Sequence, residues 1–347
     1  MKLSAMDKKR RLQLIILGVV LLLLIALPPI LGLGVSTMSI LITVLLYMYY
    51  ASSWNIMGGY TGLFSLGSGL YVGLGAYLTG VLYVYAGITP WLGLIIAGVV
   101  TGAVAMLLGY PTFKLQSIYY SLATFALLQV GLTIFKNYKT IAGITLGAAE
   151  GFKIPVGSNP LNMQFSSKLP YYYIILAMLV IVMLVSYYIS HSKSGFYFRA
   201  ISANQGAASS LGVNILKMKM QAQFTSAFFF ALGGGFYCMF MNYIDPSTLF
   251  GNDLSINIMI FCVVGGANTL WGPILGAGLM YTINRITTIY ASNISGLANI
   301  IFGVVLMIVV LFIPGGLLPF IKSRREKRAA ARRKETLQAE SKGGAEE

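Results

Sequence analysis

The chain has 347 residues, of which 57% are hydrophobic and 10% charged, with a mean hydropathy of +0.79. Soluble proteins carry about 25% charged residues, whereas the 102 residues from Leu12 to Phe113 pass here without one Asp, Glu, Lys or Arg. A soluble domain needs a polar face on every surface element, so the composition excludes one and points to an all-α polytopic membrane protein. The net charge of +15 sits in tails and loops, not on a folded basic face, and argues against a nucleic-acid partner.

A bilayer core of about 30 Å takes roughly 20 apolar helical residues to cross. In chain order the segments that fit are Leu12–Leu31, Met38–Met57, Gly62–Tyr85, Trp91–Tyr110, Ile118–Phe135, Tyr171–Ile189, Gln221–Tyr243, Ser255–Ala267, Pro273–Tyr290 and Leu297–Phe320. About ten transmembrane helices are therefore expected, some broken by glycine. Ahead of them, residues 1–11 form a basic N-terminus. The first span reads as a retained signal anchor: its apolar run is longer than that of a signal peptide, ends in Pro28-Pro29, and has no A-x-A cleavage site after it.

Lys and Arg set the orientation. With ten crossings both ends share a side, and that side collects 19 basic residues, against Lys136, Lys139, Lys153 and Lys168 opposite, plus Arg285 near a span end. Both termini are thus expected in the cytoplasm. The permease body covers residues 12–321. Within it, Lys136–Pro170 (136–170), rich in Gly, Pro, Ser and Asn, reads as an external lobe. Residues 191–220 read as a cytoplasmic loop with one short helix over Ala200–Gly212, stopped at Gly212. The tail, 322–347, opens with a basic cluster suited to anionic lipid headgroups.

Several chemistries have no residues to perform them. No Asp or Glu lies inside a predicted span, and the single histidine, His191, sits at a cytoplasmic edge, which argues against a proton relay. Neither a hydrolytic triad nor a metal cluster can be assembled. Cys238 and Cys262 lie in apolar stretches without metal-ligand spacing and read as packing residues. No Gly-Lys-Ser/Thr sequence is present to cradle a nucleotide. The chain is therefore expected to be no enzyme and to hold no cofactor of its own. If it pumps, another polypeptide uses the ATP. Sodium coupling through backbone carbonyls stays open.

Glycine carries the positive signal. Several Gly-x-x-x-Gly spacings, such as Gly98 to Gly102, permit close helix approach in lipid. The run from Gly58 to Gly69 is denser than packing needs and should break a helix, and broken helices line many substrate paths. Asn55, Gly59, Tyr60, Gly62, Ser65 and Gly67 are the candidate path residues there, and Gly265 and Gly266 those of a second break. A structural break and a tight turn are the plainer readings of the two. Arg285 is expected to snorkel to the external interface.

Gly59-Tyr60-x-Gly62-x-x-Ser65-Leu66-Gly67, followed by Gly73-x-Gly75-Ala76-Tyr77, resembles the first signature of bacterial branched-chain amino acid ABC permeases of the LivM type. Arg199-Ala200-Ile201-x-x-Asn204-x-x-Ala207-Ala208-x-x-x-Gly212-Val213-Asn214 resembles their coupling-loop motif, and Gly265-Gly266-Ala267 through Gly272-Pro273 to Gly276-Ala277 is similar to their third block. The resemblance spans about Ile40 to Pro319. It implies an ATP-driven importer subunit working with a second homologous permease, two cytoplasmic ABC ATPases, an extracytoplasmic binding protein and the surrounding lipid. It also implies that Arg199, Asn204, Gln205, Ala207, Ala208 and Gly212 present the coupling surface. The family often has an acid where Gln205 stands, and the long basic tail is not part of its signature.

The implied substrate is leucine, isoleucine or valine, with urea, short amides or other amino acids as alternatives. A path without charged side chains would leave the ammonium and carboxylate to backbone dipoles. A stand-alone facilitator or channel, or a non-transporting scaffold, would share the same absences.

Overall fold

The computed structural model describes residues 34–115, 117–141, 143–157, 159–290, 296–312, 315–320 and 324. The predicted span Leu12–Leu31, the basic N-terminus and the tail (Arg324 apart) lie outside them. The helices are α1 Val35–Trp54, α2 Ser68–Ala86, α3 Pro90–Thr112, α4 Ser117–Asn137, α5 Leu169–His191, α6 Lys193–Ala203, α7 Gln205–Ser210, α8 Ile215–Met241, α9 Pro246–Leu249, α10 Asn252–Gly266, α11 Gly272–Tyr290 and α12 Leu297–Phe312.

Among the described residues seven helices are long and apolar enough to cross a membrane: α1 extended to Gly59, α2, α3, α4, α5, α8, and α9 run on into α10. The protein is a multi-pass, helical membrane protein. Of the ten expected spans, Leu12–Leu31 lies outside the described residues, α11 is diluted by Thr282, Asn284, Arg285, Thr287 and Thr288, and α12 is described over 16 residues. The predicted helix Gly62–Tyr85 starts at Ser68 instead, because residues 62–67 leave helical geometry.

Helix α8 is the hub, packed most extensively against α2 and α3, while α1 lies against α5 and α11, and α10 pairs with α11. Small residues allow this. A Cβ at Gly75 in α2 would overlap the Ala231 backbone, and one at Gly234 in α8 would overlap Val72. In lipid, where tails are as apolar as Leu, such close contact supplies much of the association energy. Hydroxyls and amides add to it. Tyr49 donates to the Phe229 carbonyl at 2.7 Å, Ser226 to the Ser53 carbonyl at 2.9 Å, and the Gln223 amide bridges Tyr71 (2.6 Å) and Tyr120 (3.2 Å).

The segment from Lys136 to Pro170 is folded. A hairpin pairs β1 (Thr140–Ile141) with β2 (Ile144–Thr145), and β3 (Phe152–Lys153) pairs with β4 (Tyr243–Ile244) just after α8. Buried Met163 and Gln164 seat it on the bundle.

At the other end, residues 191–220 depart from the expected single helix over Ala200–Gly212. Two helices meet at Asn204, whose β-region backbone ends α6 and whose Oδ1 accepts from Ala207 N–H at 3.0 Å to start α7. Gly212 follows with φ +83. Helix α8 begins at Ile215, capped by Asn214, which carries Lys219 out of the predicted loop and into a buried helical position.

Gly75→Leu is expected to destabilise the protein by about 1–3 kcal/mol or more through overpacking, seen as loss of monodispersity at lower temperature in detergent. Gly303→Ala, where a Cβ meets nothing within 4 Å, should melt as the wild type does.

Candidate functional site

The first glycine-rich run opens the site. Helix α1 widens into a π-helical turn at Asn55–Gly59 and stops at Gly62, whose φ of +73 an L side chain rarely adopts. Residues 62–67 then run non-helically through the interior, where every freed backbone group needs a partner. Protein supplies several of them. Trp54 Nε1 donates to the Ser65 carbonyl (2.9 Å), Leu66 N–H to Thr124 Oγ1 (3.1 Å), Gly67 N–H to Ser65 Oγ (3.3 Å) and Gly69 N–H to Ser255 Oγ (2.8 Å). Tyr60 and Ser65 are buried beside them, and a Cβ on Gly67 would press the Thr124 carbonyl at 2.9 Å.

The second break lies against the first. Asn55, 1% exposed, accepts from Asn268 N–H at 2.8 Å and donates to the Thr269 carbonyl at 2.9 Å, so one side chain satisfies the turn between α10 and α11. Gly59 leaves room for this, since a Cβ there would overlap Asn55 Oδ1. Gly265 and Gly266 are buried at the end of α10 that leads into this turn, where a Cβ on Gly265 would overlap the Gly272 carbonyl. The eight candidate path residues thus form two interlocked backbone turns.

Helices α6 and α7 rest on that junction. A Cβ at Gly62 would lie 2.7 Å from Ser202 Oγ, so the end of α1 touches α6 directly. The six predicted coupling residues divide. Arg199, Asn204, Gln205, Ala207 and Gly212 are exposed, while Ala208 is buried. Arg199 turns back, donating to the Ser190 carbonyl at 2.7 Å with its guanidinium over Phe196. Gln205 Oε1 accepts from Lys219 Nζ at 2.9 Å.

Lys219 was not singled out from the sequence. It is 1% exposed, and Nζ also donates to the Phe113 carbonyl (3.2 Å) at the end of α3, where the helix dipole favours a cation. It ties α3, α7 and α8 together. Leu211 was also missed: at 83% exposure it projects from the end of α7. An isolated apolar residue in a polar loop was the available signal.

At the opposite end of the bundle, where α1 begins and α8 and α11 end, lies a cavity of about 460 Å³ lined by Ser39, Thr43, Tyr47, Tyr50, Tyr237, Leu249, Leu254, Tyr281 and Arg285, among others. None of the eight residues of the two breaks lines it.

A family profile described as "Branched-chain amino acid transport system / permease component" matches residues 36–311. The chain belongs to this family of ABC transporter permeases. It is 24% identical over 339 residues to the "High-affinity branched-chain amino acid transport system permease protein LivM" of Escherichia coli (strain K12), covering 92% of this chain and 78% of that protein. The Salmonella typhimurium protein of the same description is 23% identical with the same coverage. A solved structure described as "PsaBC from Streptococcus pneumoniae in complex with Fab" aligns over 82% of this chain and 94% of its own, with 13% identity and a TM-score of 0.43. Family members are transport subunits, and their membership fits the LivM-type motifs.

Replacing Asn55 by Ala strands the Asn268 N–H and the Thr269 carbonyl, at about 1–3 kcal/mol for each unmatched group. Cys262 lies against Asn55 Oδ1 at 3.7 Å and is fully buried. Its modification by a small maleimide in detergent should therefore be at least tenfold faster in Asn55→Ala than in the wild type.

Proposed function

We propose that the protein is the translocating subunit of an ATP-driven importer for branched-chain amino acids in a bacterial inner membrane. It would pair with a second, homologous permease, with two cytoplasmic ABC ATPases below and a solute-binding protein outside. Both termini and α6–α7 then face the cytoplasm, and the lobe at 136–170 faces the binding protein. ATP is used by the partners, and this chain holds no cofactor. The substrate class follows the name of the Escherichia coli and Salmonella relatives; urea and short amides remain the alternative cargo of the same machine.

One observation carries the mechanism: the exposed α6–α7 pair rests directly on the broken end of α1. Closure of the ATPases would push on α7 at Asn204, Ala207 and Leu211. Lys219, held to Gln205, makes α7 move with α8 and the end of α3. Ser202 bears on Gly62, and Asn55 passes the shift to the α10–α11 turn. Those helices, with α1 and α8, reach the cavity at the far end. In this reading Arg199 and Gln205 brace the coupling helices from within, and Gly212 ends them. The residues of the two breaks would lie beneath the path as its gate, their packed backbone switching between two arrangements as the ATPases open and close.

Leu211→Glu tests the contact without touching the core, because the side chain is exposed. The expected result in proteoliposomes with the partner subunits is at least a tenfold fall in leucine uptake and in co-purified ATPase, with an unchanged melting profile of the chain alone.

A further inference from the structure

The cavity at the end remote from α6–α7 has a chemistry the functional reading does not use. We propose that Arg285 and the tyrosines around it form a carboxylate-binding station for a zwitterionic amino acid entering the permease. The inference rests on the importer reading above and adds the group that reads the substrate's charge.

The volume of about 460 Å³ lies within the roughly 300–1,000 Å³ typical of small-molecule sites. Among the described residues Arg285 has no ion pair or hydrogen bond, and it stands on α11 one turn from Tyr281, on the cavity wall. Snorkelling to the interface explains an exposed Arg near a span end; here the same residue also lines the wall of a half-open cavity. The second observation is independent. Tyr50, 2% exposed, lines the same cavity, and its hydroxyl is buried without a hydrogen-bond partner. A buried hydroxyl left unmatched is costly unless something else occupies it. Its ring is fixed edge-on against Tyr47 at 6.3 Å, and Tyr47 stacks on Tyr281 at 4.6 Å. Tyr50 and Arg285 line the same cavity, and a tyrosine hydroxyl with a guanidinium suits a carboxylate, which accepts from both. Leu249 and Leu254 on the same wall offer an apolar surface to an aliphatic side chain. The sequence expectation that backbone dipoles alone meet the substrate's charges is thereby revised for the carboxylate.

The test uses the complete complex in nanodiscs and proteoliposomes. Saturation-transfer NMR without the binding protein should detect L-leucine on the wild-type complex and not L-leucinamide, which lacks the carboxylate. Arg285→Gln should abolish that signal and slow maximal leucine uptake at least tenfold, while ATPase stimulation by loaded binding protein stays within twofold. Arg285→Lys should recover part of the rate, and Tyr50→Phe, which keeps the ring, should cost about three- to tenfold. Wild-type uptake and leucine contact persisting in Arg285→Gln, or leucinamide bound as well as leucine, would overturn the station and leave the importer reading standing. A wild-type complex that takes up no leucine would overturn the substrate reading and this inference with it.

Discussion

An unpaired peptide group has no water to turn to inside a membrane, and this chain interrupts its helices where that constraint is most severe. The structure depends on how the interruption is satisfied. Asn55 holds both sides of the problem: its amide closes the α10–α11 turn, while the turn it sits in widens α1 just before the chain leaves the helix at Gly62. Thr124, Ser65, Ser255 and Trp54 complete the set. Each of these bonds contributes about 1 kcal/mol when made and costs more when broken in the interior. The break is therefore a fixed part of the fold rather than a frayed end.

The same scarcity of water explains the choice of polar groups. Amides and hydroxyls, which need no counter-ion, carry the interior contacts, as Gln223 does between Tyr71 and Tyr120. Lys219 is the exception and is met by two oxygens, one at a helix C-terminus, without an acid. Gln205, exposed at the start of α7, turns its Oε1 to this lysine, and a neutral acceptor suffices there. Arg199 is likewise engaged within the chain while staying exposed, so that it shares the outward surface of α6 and α7 with Asn204, Gln205, Ala207 and Leu211.

Much of this was legible in the sequence. The spans are long apolar runs, and apart from Leu12–Leu31, outside the described residues, each meets a helix, with the starts of α2 and α8 six residues from the expected bounds. The breaks announce themselves as glycine density from Gly58 to Gly69 and at Gly265-Gly266. What could not be read is that these two runs touch, since Asn55 and Asn268 are 213 positions apart and no local pattern encodes such a pairing. Asn204 could be read as a helix cap or as a surface residue, and the single-helix expectation failed because one capping side chain divides the segment. Lys219 looked like a loop lysine because α8 starts six residues earlier than its apolar run suggests. The cavity escaped because its wall is assembled from five helices, and Tyr50 and Arg285 have no shared motif.

The central claim is that force on α6–α7 reaches the transport path through the Asn55 junction. The direct measurement is the ratio of leucine imported to ATP hydrolysed in proteoliposomes containing the complete complex, compared between wild type and Asn55→Ala. The account predicts that the variant keeps ATPase stimulation by the binding protein while the ratio falls at least tenfold, because the ATPases still dock but their motion is no longer passed on. An unchanged ratio in a folded Asn55→Ala complex would contradict it.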